Sequence, residues 1–399
     1  MLRRFLTPSV IALLTLGLMA LGCALSGLCG GQGGTQARVV DGLRVVTLTT
    51  GLDRAWGLAF LPDGRMLVTE KNGRMRLISA TGQLKPEPVT GLPAVRDEGQ
   101  GGLMDVALDP DHPTQPWVYW SYSEPGTGPE TRLSGTAVAR GQLVNGHMTK
   151  VEVIYRQRPK VEGSGHFGSR LVFARDKTLF ITLGERQKDS PSNPGTEHAQ
   201  NVASGLGKVV RIQRDGSLPP GNPRFAGDGA QPELWSIGHR NPQGAALHPI
   251  TGELWLTEHG PQGGDELNRV RAGRNFGWPL TSDGCPYGSL PAEGCRVNGG
   301  THAPRFEAPL TTWVPLSIAP SGLAFNTGSR YPGWEGQLFA GALKGEAVWR
   351  IKLDGDRVVE REPLLKGRLG RIRDVRLGPD GWLYLLTDGE EGRLLRLER

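Results

Sequence analysis

Residues 56–70 read WGLAFLPDGRMLVTE, an apolar run, a Pro-Asp-Gly turn and a second apolar run, and the pattern returns five more times. The other copies are LMDVALDPDHPTQPWVYWSY (103–122), RLVFARDKTLFITLGE (170–185), GAALHPITGELWLTE (244–258), GLAFNTGSRYPGWEGQLFAG (322–341) and RDVRLGPDGWLYLLTD (373–388). A strand, a turn and a second strand, repeated along a chain, form a unit that buries its faces only against neighbouring copies. Units of this kind close into a ring. The six copies therefore predict an all-β protein, a six-bladed β-propeller of four-stranded antiparallel blades.

Length and composition agree with one such ring. At 399 residues and 37% hydrophobic content the chain can bury a large core, and a six-bladed propeller is a single closed unit of that size. The 59 glycines and 30 prolines fit many short strands joined by tight turns, and no Gly-X-Y period or polar tract points to collagen or disorder. The propeller is expected over residues 38–399.

Ahead of it, residues 1–22 carry two arginines, an apolar stretch and small residues, the layout of a secretory leader. Ala20-Leu21-Gly22-Cys23 loosely resembles a bacterial lipoprotein box, with Ala in place of the usual Leu, so a lipid on Cys23 is one of two outcomes. Residues 23–37, rich in glycine, read as a flexible spacer. The expected location is the periplasm or the extracellular space. Outside this region the only cysteines are Cys285 and Cys295, which bracket CPYGSLPAEGC; an oxidising compartment predicts a local disulfide, and a metal pair is the competing reading.

The formal charge of +6 is spread along the chain, without a lysine-rich run or an RNA-type aromatic motif, which argues against nucleic acid as a partner. Beyond the leader no apolar run reaches the ~20 residues that span a bilayer. A lipid at Cys23 would be the only membrane tie.

Aligning the copies on the last residue of each first strand gives Phe60, Leu108, Phe173, Leu247, Phe325 and Leu377. A few residues upstream stand Arg54, Gln100, His166, Arg240 with Asn241, Ser317, and Arg371 with Arg373. In a propeller the first strand of each blade lines the central channel, so these side chains converge on one axial pocket. Lys344, from the GALKGE turn, adds another cation. Several positive groups packed together call for an anion, and the planar guanidinium fork suits carboxylate or phosphate. Other uses of the same residues stay open: Arg240 and Asn241 could cap a turn, and Arg371 and Arg373 could pair with carboxylates of the protein. A second stretch, EHGPQGGDELN (258–268), combines glycines around Pro261 with Asp265 and Glu266, hard oxygen donors of the kind that hold calcium.

Taken together, GQGGLMDVALDP (99–110), GHFGSRLVF (165–173), LGKVVRI (206–212), GHRNPQG (238–244), EHGPQGGDELN, NFGWP (275–279) and RIRDV (371–375) resemble the soluble quinoprotein glucose dehydrogenases, and more closely their aldose sugar dehydrogenase branch. The resemblance runs from about Val45 to the C-terminus. It implies oxidation of the C1 hydroxyl of an aldose to a lactone, with hydride passing to pyrroloquinoline quinone (PQQ) and on to an external electron acceptor. It further implies His166 as general base, Arg240 beside the quinone oxygens, and Gln100, Asn241, Lys344, Arg371 and Arg373 as holders of a cofactor with three carboxylates. The carbonyls of Gly260 and Pro261 match ligands of a catalytic calcium, and Glu266 with the Phe276 carbonyl matches a structural one.

One departure concerns the His partner: where the glucose-specific branch has a GDQG motif, this chain has Gly184-Glu185-Arg186, so Glu185 either supports His166 or has another role. The connections around residues 189–200 and after Ser282 look short, which predicts an open pocket, broad sugar tolerance and a monomer. Two rival readings are a calcium-dependent propeller hydrolase of the lactonase type and a non-catalytic binding propeller. An axial set dominated by Arg, Asn and Gln favours the dehydrogenase over both.

Overall fold

The computed structural model describes residues 36–112, 114–192, 195, 197–289 and 295–399; the expected leader and Cys23 lie outside them. The first strand begins at Gln36, two residues inside the stretch read as spacer. Strands account for nearly all regular structure, in six antiparallel sheets. The innermost strands are Ala55–Phe60, Leu103–Leu108, Gly168–Phe173, Pro242–Leu247, Pro320–Phe325 and Ile372–Leu377. Each packs on the next and the last packs on the first, which closes the ring.

The cores explain why it closes. One apolar cluster lies between each pair of neighbouring blades: Leu67 and Met75 meet Val106 and Trp120, Val138 meets Ile181, Val209 meets Leu256, Trp255 meets Ala340, Phe339 meets Leu385, and Leu386 meets Val68. A blade is thus buried on both faces, and its second strand reads as an unbroken apolar run such as Leu383–Thr387, every residue of which is buried. Each fully buried Leu, Val or Phe contributes about 1.5–3 kcal/mol, so the ring is held by the sum of six like interfaces.

Two blades depart from four strands. In the first, only three strands form, and the fourth position is taken by isolated bridges from Leu84 to Ile78 and from Val89 to Met75. Pro86 and Pro88 stand between those bridges, and proline offers no N–H to a ladder. The last blade lacks a fourth strand downstream. The N-terminal strand Leu43–Leu52 supplies it by pairing with Gly392–Glu398, and Gln36–Val40 adds a fifth.

The channel is filled at mid-height. Three residues before the end of each inner strand come Gly57, Asp105, Arg170, Gly244, Gly322 and Asp374. Arg170 Nη1 reaches Asp105 at 2.9 Å and Asp374 at 3.1 Å, and its guanidinium lies 4.4 Å from the Trp56 ring centroid. Glycine is required beside this layer, since a Cβ at Gly322 would stand 2.1 Å from Asp374 Oδ1.

Candidate active site

Every inner strand has a register irregularity at its start, between Ala55 and Leu58, Leu103 and Val106, Gly168 and Leu171, Pro242 and Gly244, Pro320 and Leu323, and Ile372 and Asp374. Bulges re-aim side chains at a strand end. All six sit on one rim, below the residues aligned from the sequence.

His166 approaches this rim in a left-handed turn, φ 46°. The turn is held from both sides. Gln100 Oε1 accepts the His166 N–H at 2.9 Å, and the His166 carbonyl accepts from Arg186 N at 3.1 Å. The buried Arg186 guanidinium also donates to the carbonyls of Gly165, Gly163 and Ser134 and stacks on Phe167, 3.7 Å from its centroid. His166 is 4% exposed, and its Nδ1 lies 2.5 Å from Glu185 Oε1. Burial, then the charges of Arg240 and Arg186, hold the imidazole well below its ordinary pKa. Burial pushes the Glu185 carboxyl up to about 7 against the opposing pull of Arg240 and two backbone N–H donors.

Arg240 donates to four partners. Its N–H donates to Glu258 Oε2 at 2.8 Å, Nη1 donates to the carbonyls of His259 at 3.2 Å and Gly260 at 2.7 Å, and Nη2 donates to the Tyr287 hydroxyl at 2.7 Å. Its Nε is buried without a partner among the described residues. Asn241 ties blades together, accepting from Gly168 N at 3.1 Å and meeting His259 Nδ1 at 3.2 Å, while His259 Nε2 donates to the Pro320 carbonyl at 2.8 Å. Burial pushes His259 down to about 3, so it is neutral.

Beside these groups opens a cavity of about 530 Å³ lined by Arg54, Lys71, Gln100, Gln243, His259, Arg371, Arg373, Asp388 and Glu390, among others. Four cations face two carboxylates. Arg371 Nε donates to Asp388 at 2.9 Å; Arg373 donates to the same carboxylate at 3.3 Å and to Gln243 Oε1 at 3.0 Å. Arg373 Nε is buried without a partner among the described residues. His166, Arg240 and Asn241 stand in the wall behind, with His166 joined to the cavity through Gln100. Lys344 is exposed next to the lining residue Leu343 and does not line the cavity.

Sequence alignment on the first strands missed Lys71, His259 and Asp388. These have a common signal: each directly follows the second strand of its blade, after Met66–Glu70, Leu254–Glu258 and Leu383–Thr387. The cavity is therefore lined by two registers of the repeat.

The Gly-rich stretch is built differently from its first reading. Asp265 accepts from Gly260 N at 2.9 Å, Ile318 N at 2.6 Å and Ala319 N at 2.8 Å. It pins the loop rather than presenting free oxygens. The Gly260 carbonyl faces Arg240 and the Pro261 carbonyl accepts from Ser317 Oγ at 3.4 Å. Glu266 is buried with Asn268 as donor, and burial followed by the charges of Glu258 and Asp283 drives its carboxyl well above the ordinary range. Among the described residues no group of three or more His, Cys, Asp or Glu is placed to hold a metal ion, so a cation here would depend on carbonyl donors. Cys285 and Cys295 form the expected disulfide.

The family model for glucose/sorbosone dehydrogenases matches residues 52–396. The chain belongs to that family. It is 42% identical over 360 residues to the aldose sugar dehydrogenase YliI of Escherichia coli K12, with 89% of this chain and 92% of the relative covered. The crystal structure of the soluble aldose sugar dehydrogenase of Escherichia coli in its apo form superposes with a TM-score of 0.81 at 40% identity, covering 89% of this chain and 99% of that one. The PQQ-bound aldose sugar dehydrogenase of Streptomyces coelicolor superposes with a TM-score of 0.71 at 29% identity, covering 91% and 98%. No helix among the described residues is long and apolar enough to cross a membrane.

Proposed function

We propose that this protein is a PQQ-dependent aldose sugar dehydrogenase that oxidises the C1 hydroxyl of a sugar to the lactone. One observation carries the reading: a buried His166–Glu185 pair adjoins Arg240 behind a cavity with an excess of guanidinium and ammonium groups. With Glu185 ionised, Nδ1 of His166 carries the proton and donates it to Oε1, which leaves Nε2 with its lone pair. That atom is the general base for the C1 hydroxyl proton, and the carboxylate stabilises the imidazolium that forms.

The residues present fit the cofactor. Two buried guanidinium nitrogens, Nε of Arg240 and Nε of Arg373, have no partner among the described residues, and the four lining cations exceed the lining carboxylates. Arg371, Arg373, Gln100 and Lys71 would hold carboxylates, with Lys344, exposed beside Leu343, assigned to the same task and Asn241 using its remaining amide hydrogen. When bound, PQQ supplies the acceptor for the hydride leaving C1. Arg240 places fixed positive charge beside that region. An external acceptor would take up the electrons.

Calcium belongs to the same proposal. The Gly260 and Pro261 carbonyls are the donors assigned to a cation near the cofactor, with Arg240 sharing the Gly260 oxygen. Glu266 and the Phe276 carbonyl are assigned to a second cation. Its support is the crowding of three carboxyl groups there, Glu266, Glu258 and Asp283. Export by the leader, a lipid at Cys23 as one outcome, broad sugar tolerance and a monomeric state complete the reading.

The test is reconstitution. Purified apoprotein, given PQQ and Ca²⁺, should reduce a dye acceptor with glucose and several other aldoses and release the lactone. A calcium hydrolase would instead cleave lactones without PQQ.

A further inference from the structure

Behind the His166–Glu185 pair lies a second layer of buried ionisable groups that the chemistry above does not use. Glu185 Oε2 accepts from the backbone N–H of Lys188 at 2.6 Å and of Asp189 at 3.2 Å. The Asp189 carboxylate in turn accepts from the N–H groups of His198 at 2.8 Å and Ala199 at 2.7 Å. The carbonyls of those two residues, with that of Leu206, receive the Lys208 ammonium at 2.8, 2.9 and 2.6 Å. Asp189 is 7% exposed and Lys208 is wholly buried. A continuous chain of hydrogen bonds therefore runs from the imidazole to an ammonium that has no carboxylate bonded to it among the described residues.

A buried ammonium carries a large desolvation cost, and three carbonyls alone could be satisfied by neutral donors. The charge itself needs a reason. The charged and titratable groups that face Glu185 are His166, Arg240, Arg186, Asp189 and His198; those that face Asp189 are Glu185, His198 and Lys208. Asp189 thus brings a second negative charge towards Glu185, and Lys208 compensates it.

We propose that Asp189 and Lys208 are positioning residues that hold Glu185 against His166 and set, by opposite charges, the pH at which the pair becomes competent. The inference rests on the general-base reading of His166. Burial pushes Asp189 up to about 6 and Lys208 down to about 7, so both lie close to the range in which Glu185 titrates. Removing the Asp189 charge favours the ionised form of Glu185, whereas removing the Lys208 charge leaves two carboxylates facing one another and disfavours it.

The experiment compares pH–rate profiles of the reconstituted enzyme for wild type, Asp189→Asn, Lys208→Met and Glu185→Gln. Alongside it, the His166 resonance is titrated in ¹⁵N-histidine-labelled apoprotein, assigned by its loss in His166→Gln. Asp189→Asn should move the acidic limb down by about half to one pH unit and Lys208→Met should move it up by a similar amount. The resonance should be displaced in the same directions. Limbs that stay put, or that move the same way in both variants, overturn the inference. Should Lys208→Met not fold, the Asp189→Asn profile decides alone: a downward shift supports the inference and an unmoved limb sinks it. An acidic limb that survives Glu185→Gln does not report Glu185 and also overturns the inference, whereas turnover left unchanged by His166→Gln refutes the general-base reading instead.

Discussion

Nδ1 of His166 lies 2.5 Å from Oε1 of Glu185, with both side chains at least 95% buried. The carboxylate fixes which ring nitrogen carries the proton, and the imidazole is held neutral by burial and by Arg240 and Arg186. Its remaining nitrogen is therefore available as a base only when Glu185 is ionised.

That condition gives a pH dependence with a defined sign. The Glu185 carboxyl is raised to about 7 by burial, so the productive form is populated above that value and lost as pH falls through it. Turnover should decline on the acid side with a midpoint near neutrality. Glu185→Gln should flatten this limb and lower kcat, measured by dye reduction from pH 5 to 9, a range of about two units on either side of neutrality.

Replacing His166 by Gln should cut kcat by about 10²–10⁴, the usual worth of a general base, while leaving cofactor affinity nearly unchanged. The two quantities separate in a reconstitution titration followed both by fluorescence and by turnover. Unchanged turnover would place proton removal elsewhere.

How much of this was legible beforehand differs between the ring and the rim. The aligned residues Phe60, Leu108, Phe173, Leu247, Phe325 and Leu377 are each the last residue of an inner strand, because blades buried on both faces write long apolar runs into the sequence. His166, Arg240 and Gln100 followed from that register. The bulges did not, since an extra residue in a strand leaves no compositional mark. Asp265 was misread for a related reason: acidic residues in Gly-rich turns serve as backbone acceptors as readily as metal ligands, and only the positions of the Ile318 and Ala319 amides distinguish the two. The Arg371 and Arg373 pair was expected to face an external anion or a carboxylate of the protein. The structure gives it Asp388 as a partial counter-ion and still leaves the cavity cationic.

The mid-channel layer carries a prediction about stability. Arg170→Met would leave Asp105 facing Arg376 alone and remove one of the two guanidinium groups between Asp105 and Asp374. Breaking a buried pair in this way costs about 3–5 kcal/mol. Equilibrium denaturation of the apoprotein should register the loss, and a change below about 1 kcal/mol would mean that water or Arg376 replaces the missing charge.

The central claim is that the cations on the rim exist to hold an anionic redox cofactor. It is tested most directly by titrating PQQ, in the presence of Ca²⁺, into wild-type apoprotein and into Arg373→Met, following protein fluorescence. The account predicts saturable binding of one PQQ per chain, weakened about 10- to 100-fold in the variant, the worth of one charge-assisted hydrogen bond. Binding that does not saturate, or an affinity that Arg373→Met leaves unchanged, would contradict it.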